Sequence, residues 1–153
     1  MSNDGAAWDH PDPFWIAVTV DPAEIDRLGH VNHSVYLQWC EQVGWEHAES
    51  VGAGWTLWQV LDRAMAVLEV RLRYLGAAVA DDTLHVANWV IRNDGRLRAT
   101  RHFQIVRPRD GATLLRGEID YVCIQISTGQ PRRFPSEFAS AYAVLPSVAK
   151  ALV

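Results

Sequence analysis

Cysteine is scarce in this chain: Cys40 and Cys123 are the only two in 153 residues, and no CxxC joins them. Their separation and apolar surroundings exclude a disulfide-stapled secreted scaffold and point to reduced, buried thiols. Long hydrophobic runs are missing as well. None reaches the ~18 residues of a membrane span, and the opening MSNDGAAWDHPDP has neither the basic flank nor the apolar core of a secretion signal. A cytoplasmic protein without membrane attachment is the expectation. Positive charge is in short supply: the net charge is −4, without the basic surplus that binding to a phosphate backbone demands, so nucleic acid is not the expected partner. Low-complexity tracts are absent too. A composition of 49% apolar and 21% charged residues describes a chain that buries a core, and at this length the core is that of one domain.

Tryptophan is in excess, with seven in all, each a large apolar surface for a core or an interface. Residues 1–13 are polar and read as a loose lead-in to a single domain over residues 14–153. Residues 14–21, FWIAVTVD, are β-branched and aromatic and predict a strand ended by Pro22. From His33 onward, Leu37, Cys40, Gly44, His47, Ala48 and Val51 recur at helical spacing, while Val35, Trp39, Val43 and Trp45 add apolar groups on other sides. Such a helix is expected to be enclosed. Gly52-Ala53-Gly54 ends it, and residues 55–61 make a short helical or irregular connector. The period then drops to two, and Ala66, Leu68, Val70, Leu72 and Tyr74 predict the buried face of a strand over residues 65–74. Turns at Asn93-Asp94-Gly95 and Arg109-Asp110-Gly111 join strands at 83–91, 97–106 and 113–126, so four consecutive strands are expected to run as an antiparallel meander. Residues 135–143 and 146–152 close the chain as short helices. This order predicts an α+β domain, an antiparallel sheet of five or six strands wrapped around a long central helix.

The chemistry concentrates in residues 24–41, EIDRLGHVNHSVYLQWCE. Asp26, Gly29, His30, Asn32 and His33 form a loop feeding a helix N terminus. The unpaired N–H groups and partial positive charge of such a terminus suit a polarised carbonyl or an oxyanion. Taken alone, Asp26 also reads as a turn-capping aspartate. Cys40 has no base beside it in sequence and no GxSxG occurs, so neither a cysteine nor a serine nucleophile is indicated. Asp26, His30 and His33 in one short loop are awkwardly spaced for a shared ion, and no metal is expected.

The string from Asp26 through Gly29-His30-Val31-Asn32-His33 to Tyr36-Leu37 and Trp39-x-Glu41 resembles the signature D-x-x-G-H-V-N-N-x-x-Y-L-x-W-x-E. That signature marks the 4-hydroxybenzoyl-CoA thioesterase branch of the hotdog-fold superfamily. His33 stands where Asn is most frequent, which resembles the YbgC-like subgroup. Leu72-Arg73-Tyr74-Leu75 with Asp81-Asp82-Thr83-Leu84, and the turn over residues 128–135, are similar to later passages of the family. The resemblance implies a hotdog fold and an acyl-CoA thioesterase without a cofactor. It puts the catalytic aspartate, nucleophile or general base, on Asp26, and the carbonyl-polarising amide at or near His33, with Asn32 positioning the loop. The His33 side chain is either a participant or a cap. His30, Tyr36 and Glu41 stand second, Glu41 because a sister branch uses a helix-borne acid. Coenzyme A phosphates require cations, for which Arg71, Arg73, Arg98, Arg101, Arg132 and Arg133 are the candidates, Arg132, Arg133 and Arg73 foremost. Phe14, Trp39, Trp55 and Trp58 are candidates for an acyl pocket. Hotdog domains pair edge to edge, implying a homodimer or homotetramer. An acyl-carrier-protein thioesterase and a non-catalytic acyl-binding domain are alternatives that the same residues leave open.

Overall fold

Alternating strands and Asx-type turns give the chain its sheet. In the computed structural model, which describes residues 7–153, the strands are β1 (Phe14–Thr19), β2 (Arg63–Tyr74), β3 (Thr83–Asn93), β4 (Arg98–Arg107) and β5 (Ala112–Gln125). The helices are α1 (His33–Ser50), α2 (Trp55–Leu61), α3 (Ser136–Ala141) and α4 (Pro146–Ala151). The β3–β4 turn forms as expected: Asp94 Oδ1 accepts from the amides of Arg96, Leu97 and Arg98 at 2.8, 2.9 and 3.0 Å.

All pairings are antiparallel, and the order across the sheet is β1-β3-β4-β5-β2. Strands β3, β4 and β5 form a meander. β2 departs from the expected one: it pairs with β5, from Arg63 against Gln125 to Tyr74 against Leu115, and not with β3. The helix is the reason. α1 has 18 residues and is about 27 Å long, so the chain leaves one edge of the sheet, crosses it as α1 and returns on the other edge. The two strands flanking the helix in sequence therefore border the sheet, and residues 75–82 carry the chain back.

α1 buries Val35, Tyr36, Trp39, Cys40 and Val43 against Leu84, Val86, Phe103, Ile105, Leu115 and Ile119 of the curved sheet. The enclosure is not complete. Glu41, Trp45 and Val51 are exposed, so one flank of the helix lies open beside β2. On β2 itself Leu68, Val70 and Tyr74, expected to face inward, are 50%, 38% and 45% exposed. Register slips at a bulge between Val67 and Glu69, and a bulge resets which side chains face the core.

Of the lead-in expected to be loose, residues 1–6 lie outside the described residues, and residues 7–13 are tied to the outer face of the sheet. Asp9 bridges Arg116 at 2.8 Å and His102 at 2.9 Å, and Trp89 Nε1 donates to Pro11 O at 2.9 Å. Trp8, Trp15 and Val148 of α4 cover Trp89. Among the described residues no helix is long and apolar enough to cross a membrane.

Candidate active site

After β1 a single 3-10 turn, Pro22–Glu24, is capped by Asp21, and the chain then reverses within residues 25–31. Asp26 N donates to His30 O at 2.7 Å and Gly29 N to Asp26 O at 3.1 Å. Gly29 has φ of +80°, a conformation that side-chain-bearing residues adopt at a cost. Asp26 is half-buried. Its Oδ1 accepts from Leu28 N at 2.8 Å and His30 N at 3.4 Å; Oδ2 has no hydrogen-bond partner among the described residues. The turn-capping reading of Asp26 thus holds for one oxygen, and the other is left without a partner among the described residues.

Asn32 caps α1. Its Oδ1 accepts from Ser34 N at 3.0 Å and Ser34 Oγ at 2.8 Å, and its carbonyl takes the Val35 amide at 3.0 Å. Between these, the His33 N–H has no acceptor among the described residues, and it stands at the positive end of the helix. Tyr74 Oη donates to His33 O at 2.9 Å, which fixes the first turn from the β2 side. The imidazoles of His30 and His33 are exposed. Tyr36 is buried beneath the loop, where its hydroxyl accepts from Ala78 N at 3.0 Å while Ala78 O takes the Val31 amide at 3.0 Å. It braces the loop.

Glu41 stands eight positions along α1 from His33, about 12 Å, exposed at the mouth of a cavity of about 90 Å³ between the helix and the sheet. Trp45, Trp58, Met65, Tyr121 and Tyr142 wall this cavity. Trp58 Nε1 donates to Tyr142 Oη at 3.2 Å. Arg101 of β4 reaches the cavity from within the core. Its Nη1 donates to His47 Nδ1 at 2.8 Å and to Asn88 Oδ1. A guanidinium only donates, so His47 Nδ1 accepts and the ring keeps its hydrogen on Nε2. Burial, and next the charge of Arg101, push the His47 pKa down to about 4, which leaves the ring neutral at physiological pH. Burial pushes the Cys40 thiol up to about 12, far from a nucleophile.

Within one chain these two regions are separate: Asp26, His30 and His33 do not line the cavity. Arg73 lies exposed at the Asp26 end of β2. Arg132 and Arg133 are exposed beyond β5, where Arg132 N donates to Cys123 O at 3.0 Å, and Cys123 pairs with Met65 at the other end of β2. Arg71 is held by Glu69, Glu118 and Asp120 at 3.2, 2.8 and 2.9 Å. Arg101, expected among the surface cations for phosphate, is a correction: it shares strand parity with Ala99, Phe103 and Ile105 and is buried with them. That parity was the available signal. Asn88, Tyr121 and Tyr142 were missed because they come from separate elements with no motif between them. Of the expected pocket aromatics Trp58 lines the cavity; Trp39 packs in the core against Tyr36, Phe14 stacks on His47 at 4.8 Å and Trp55 is half exposed.

The model of the Thioesterase-like superfamily matches residues 20–142. No curated protein matches the sequence. Among solved structures, a 1,4-dihydroxy-2-naphthoyl-CoA thioesterase from Synechocystis aligns with a TM-score of 0.77 at 19% identity, over 86% of this chain and 96% of that one. A hypothetical protein from Staphylococcus aureus in complex with CoA aligns with a TM-score of 0.79 at 21% identity, over 85% of this chain and 81% of that one. For a probable thioesterase from Escherichia coli the TM-score is 0.75 at 20% identity, over 86% and 99% of the two chains. At these identities the likeness is one of fold, and the fold is the hotdog. The matched span runs from the end of β1 through the Asp26 loop, α1 and the rest of the sheet to Tyr142, and the chain belongs to the Thioesterase-like superfamily.

Proposed function

We propose that the protein hydrolyses an acyl-CoA thioester to a free acid and coenzyme A. Membership of the superfamily supports thioester hydrolysis, and the CoA complex of one structural neighbour favours coenzyme A over a carrier protein as the leaving group. The observation that carries the assignment is that Asp26 Oδ2 and the His33 N–H at the head of α1, seven positions apart at the two ends of one loop, both lack hydrogen-bond partners among the described residues. In this reading Asp26 attacks the thioester carbon or takes a proton from the attacking water, and the His33 amide stabilises the charge that develops on the carbonyl oxygen. The His33 side chain marks the YbgC-like subgroup, and Arg73, Arg132 and Arg133 are the phosphate contacts.

Two copies pairing along β2 complete the site. β2 borders the sheet and presents Val67, Leu68 and Val70 to the outside, an apolar strand edge of the kind that invites pairing. Antiparallel pairing of two such edges sets the Tyr74 end of one copy against the Met65 end of the other. The Asp26 loop of one chain then stands over the cavity and the Arg132-Arg133 turn of the second. A homodimer, or a tetramer made of two, follows. The free, buried thiols of Cys40 and Cys123 suit a cytoplasmic setting.

Glu41 is the second reading for the catalytic carboxylate, because it lies at the cavity mouth. Thiol release measured across short, long, branched and aryl acyl-CoAs decides between them. Asp26→Asn is expected to lower kcat about 10²- to 10⁴-fold with the fold intact by circular dichroism, and Glu41→Gln to leave it within a few fold. The reverse pattern moves the chemistry to Glu41. Turnover of carrier-protein thioesters alone, or of none, gives the assignment to those alternatives.

A further inference from the structure

Arg101 is only 5% exposed, and a buried guanidinium is costly unless an anion answers it. Among the described residues no carboxylate lies within ion-pair distance of it. Its neighbours are neutral: the His47 ring, the Asn88 amide and the face of Tyr142, whose centroid is 5.5 Å from Cζ. Both of its hydrogen bonds leave from Nη1. A guanidinium carries five N–H donors in a rigid fork, so three remain, those of Nε and Nη2. That edge matches a carboxylate through two parallel bonds. It has no acceptor among the described residues, and the side chain that carries it lines the cavity together with Trp45, Trp58 and Met65. Burial lowers the Arg101 pKa, as expected of a cation awaiting its counter-ion.

We propose that the cavity receives an acyl chain whose far end is a carboxylate, held by the Nε and Nη2 edge of Arg101, so that the preferred substrates are short ω-carboxyacyl thioesters. This rests on the thioesterase reading above. Size sets the length. The cavity of about 90 Å³ is smaller than the ~150 Å³ apolar void that admits a benzene ring, which favours a short unbranched chain over a ring system. Aromatic and aliphatic walls cover the methylenes, and Arg101 is the buried cation among them. Glu41, the carboxylate on this cavity, is exposed while Arg101 is buried, and it makes no ion pair with Arg101, so it leaves the guanidinium edge for an incoming anion.

The test compares glutaryl-CoA with 5-methylhexanoyl-CoA, in which an isopropyl group of similar shape replaces the carboxylate. Wild-type kcat/KM is expected to favour glutaryl-CoA by about 10- to 100-fold, the usual worth of hydrogen bonds to a charged group, and Arg101→Met to erase the preference. Equal rates, or a preference for the uncharged chain, overturn the proposal. Titration of the wild type with monomethyl glutarate and with methyl 5-methylhexanoate, read by quenching of tryptophan fluorescence, judges the cavity without catalysis. Tighter binding of the carboxylate ligand with no turnover of any thioester sinks the thioesterase reading and keeps the carboxylate site; binding without preference removes the site. Both wild-type measurements stand whether or not the Arg101 variant folds.

Discussion

The two ends of α1 present opposite kinds of site. At the N terminus the candidate groups lie between Asp26 and Tyr36, and the loop bonds join residues two to four apart. The groups are exposed or half-buried, and the helix start supplies the electrostatics. Further along the helix the contacts at and beside the cavity are long-range: His47 reaches Arg101 across 54 positions and Trp58 reaches Tyr142 across 84. A reactive carboxylate needs only a short loop to aim it. A buried cation needs several elements to close around it, so the cavity depends on more of the fold than the loop does.

The largest effect on this contrast comes from Trp58. It is buried, lies tilted against Trp45 with centroids 4.6 Å apart and packs against Phe138 at 6.0 Å. Trp58→Ala is expected to cost about 3–5 kcal/mol in urea unfolding, the usual range for removing a large buried aromatic. Asp26→Asn, which keeps a side-chain oxygen for Leu28 N, is expected to shift stability by under ~0.5 kcal/mol. If Asp26→Asn proves the more destabilising of the two, the loop end is carrying the fold and the comparison is backwards.

A smaller effect distinguishes the ends by pH. The His47 pKa in the folded protein, about 4, lies below the ~6.5 of an unfolded chain, so the unfolded state takes the proton first. Stability is then full above pH ~6.5 and falls as pH drops towards 4, with a slope of up to ~1.4 kcal/mol per pH unit from this group. The charges facing the ring are Arg101 from β4, with Asn88 from β3 and Phe14 from β1 neutral. His10, whose pKa burial and then His102 lower, adds a slope of the same sign. The difference between wild type and His47→Gln in urea midpoints at pH 7.5, 6.0 and 5.0 isolates His47. Identical slopes would mean that the Arg101 cluster does not hold the ring neutral.

Legibility in the sequence follows the same divide. The Asp26 loop and the β3–β4 and β4–β5 turns were readable because each is set by residues within a few positions of one another; the cap was sought at His33 and falls on Asn32, and the helical form of α2 was left open. The long helix was readable from its apolar spread, and the α+β class from element order. The place of β2 was not: its alternation fits a strand beside β3 as well as one beside β5, and only the length of α1 decides. Its outward Leu68 and Val70 were hidden by a bulge that no residue announces. Arg101 carried a signal, its parity with Phe103 and Ile105, but an arginine on an apolar face is credible only once Asn88, His47 and Tyr142 are known to surround it.

The smallest effect bears most directly on the loop end. Asn32 Oδ1 holds the Ser34 amide at 3.0 Å, and losing such a cap costs about 1 kcal/mol. Asn32→Ala is therefore expected to lower stability by that amount while fraying the first turn, so that the His33 N–H loses its fixed direction. A group that acts on the developing oxyanion affects kcat and leaves KM nearly unchanged. Asn32→Ser keeps an oxygen for the Ser34 amide and should restore both stability and kcat. If Asn32→Ala loses the stability but keeps its kcat, the first turn of α1 is only a support for the loop, the carbonyl is polarised elsewhere, and the contrast between a chemical end and a selective end of the helix dissolves.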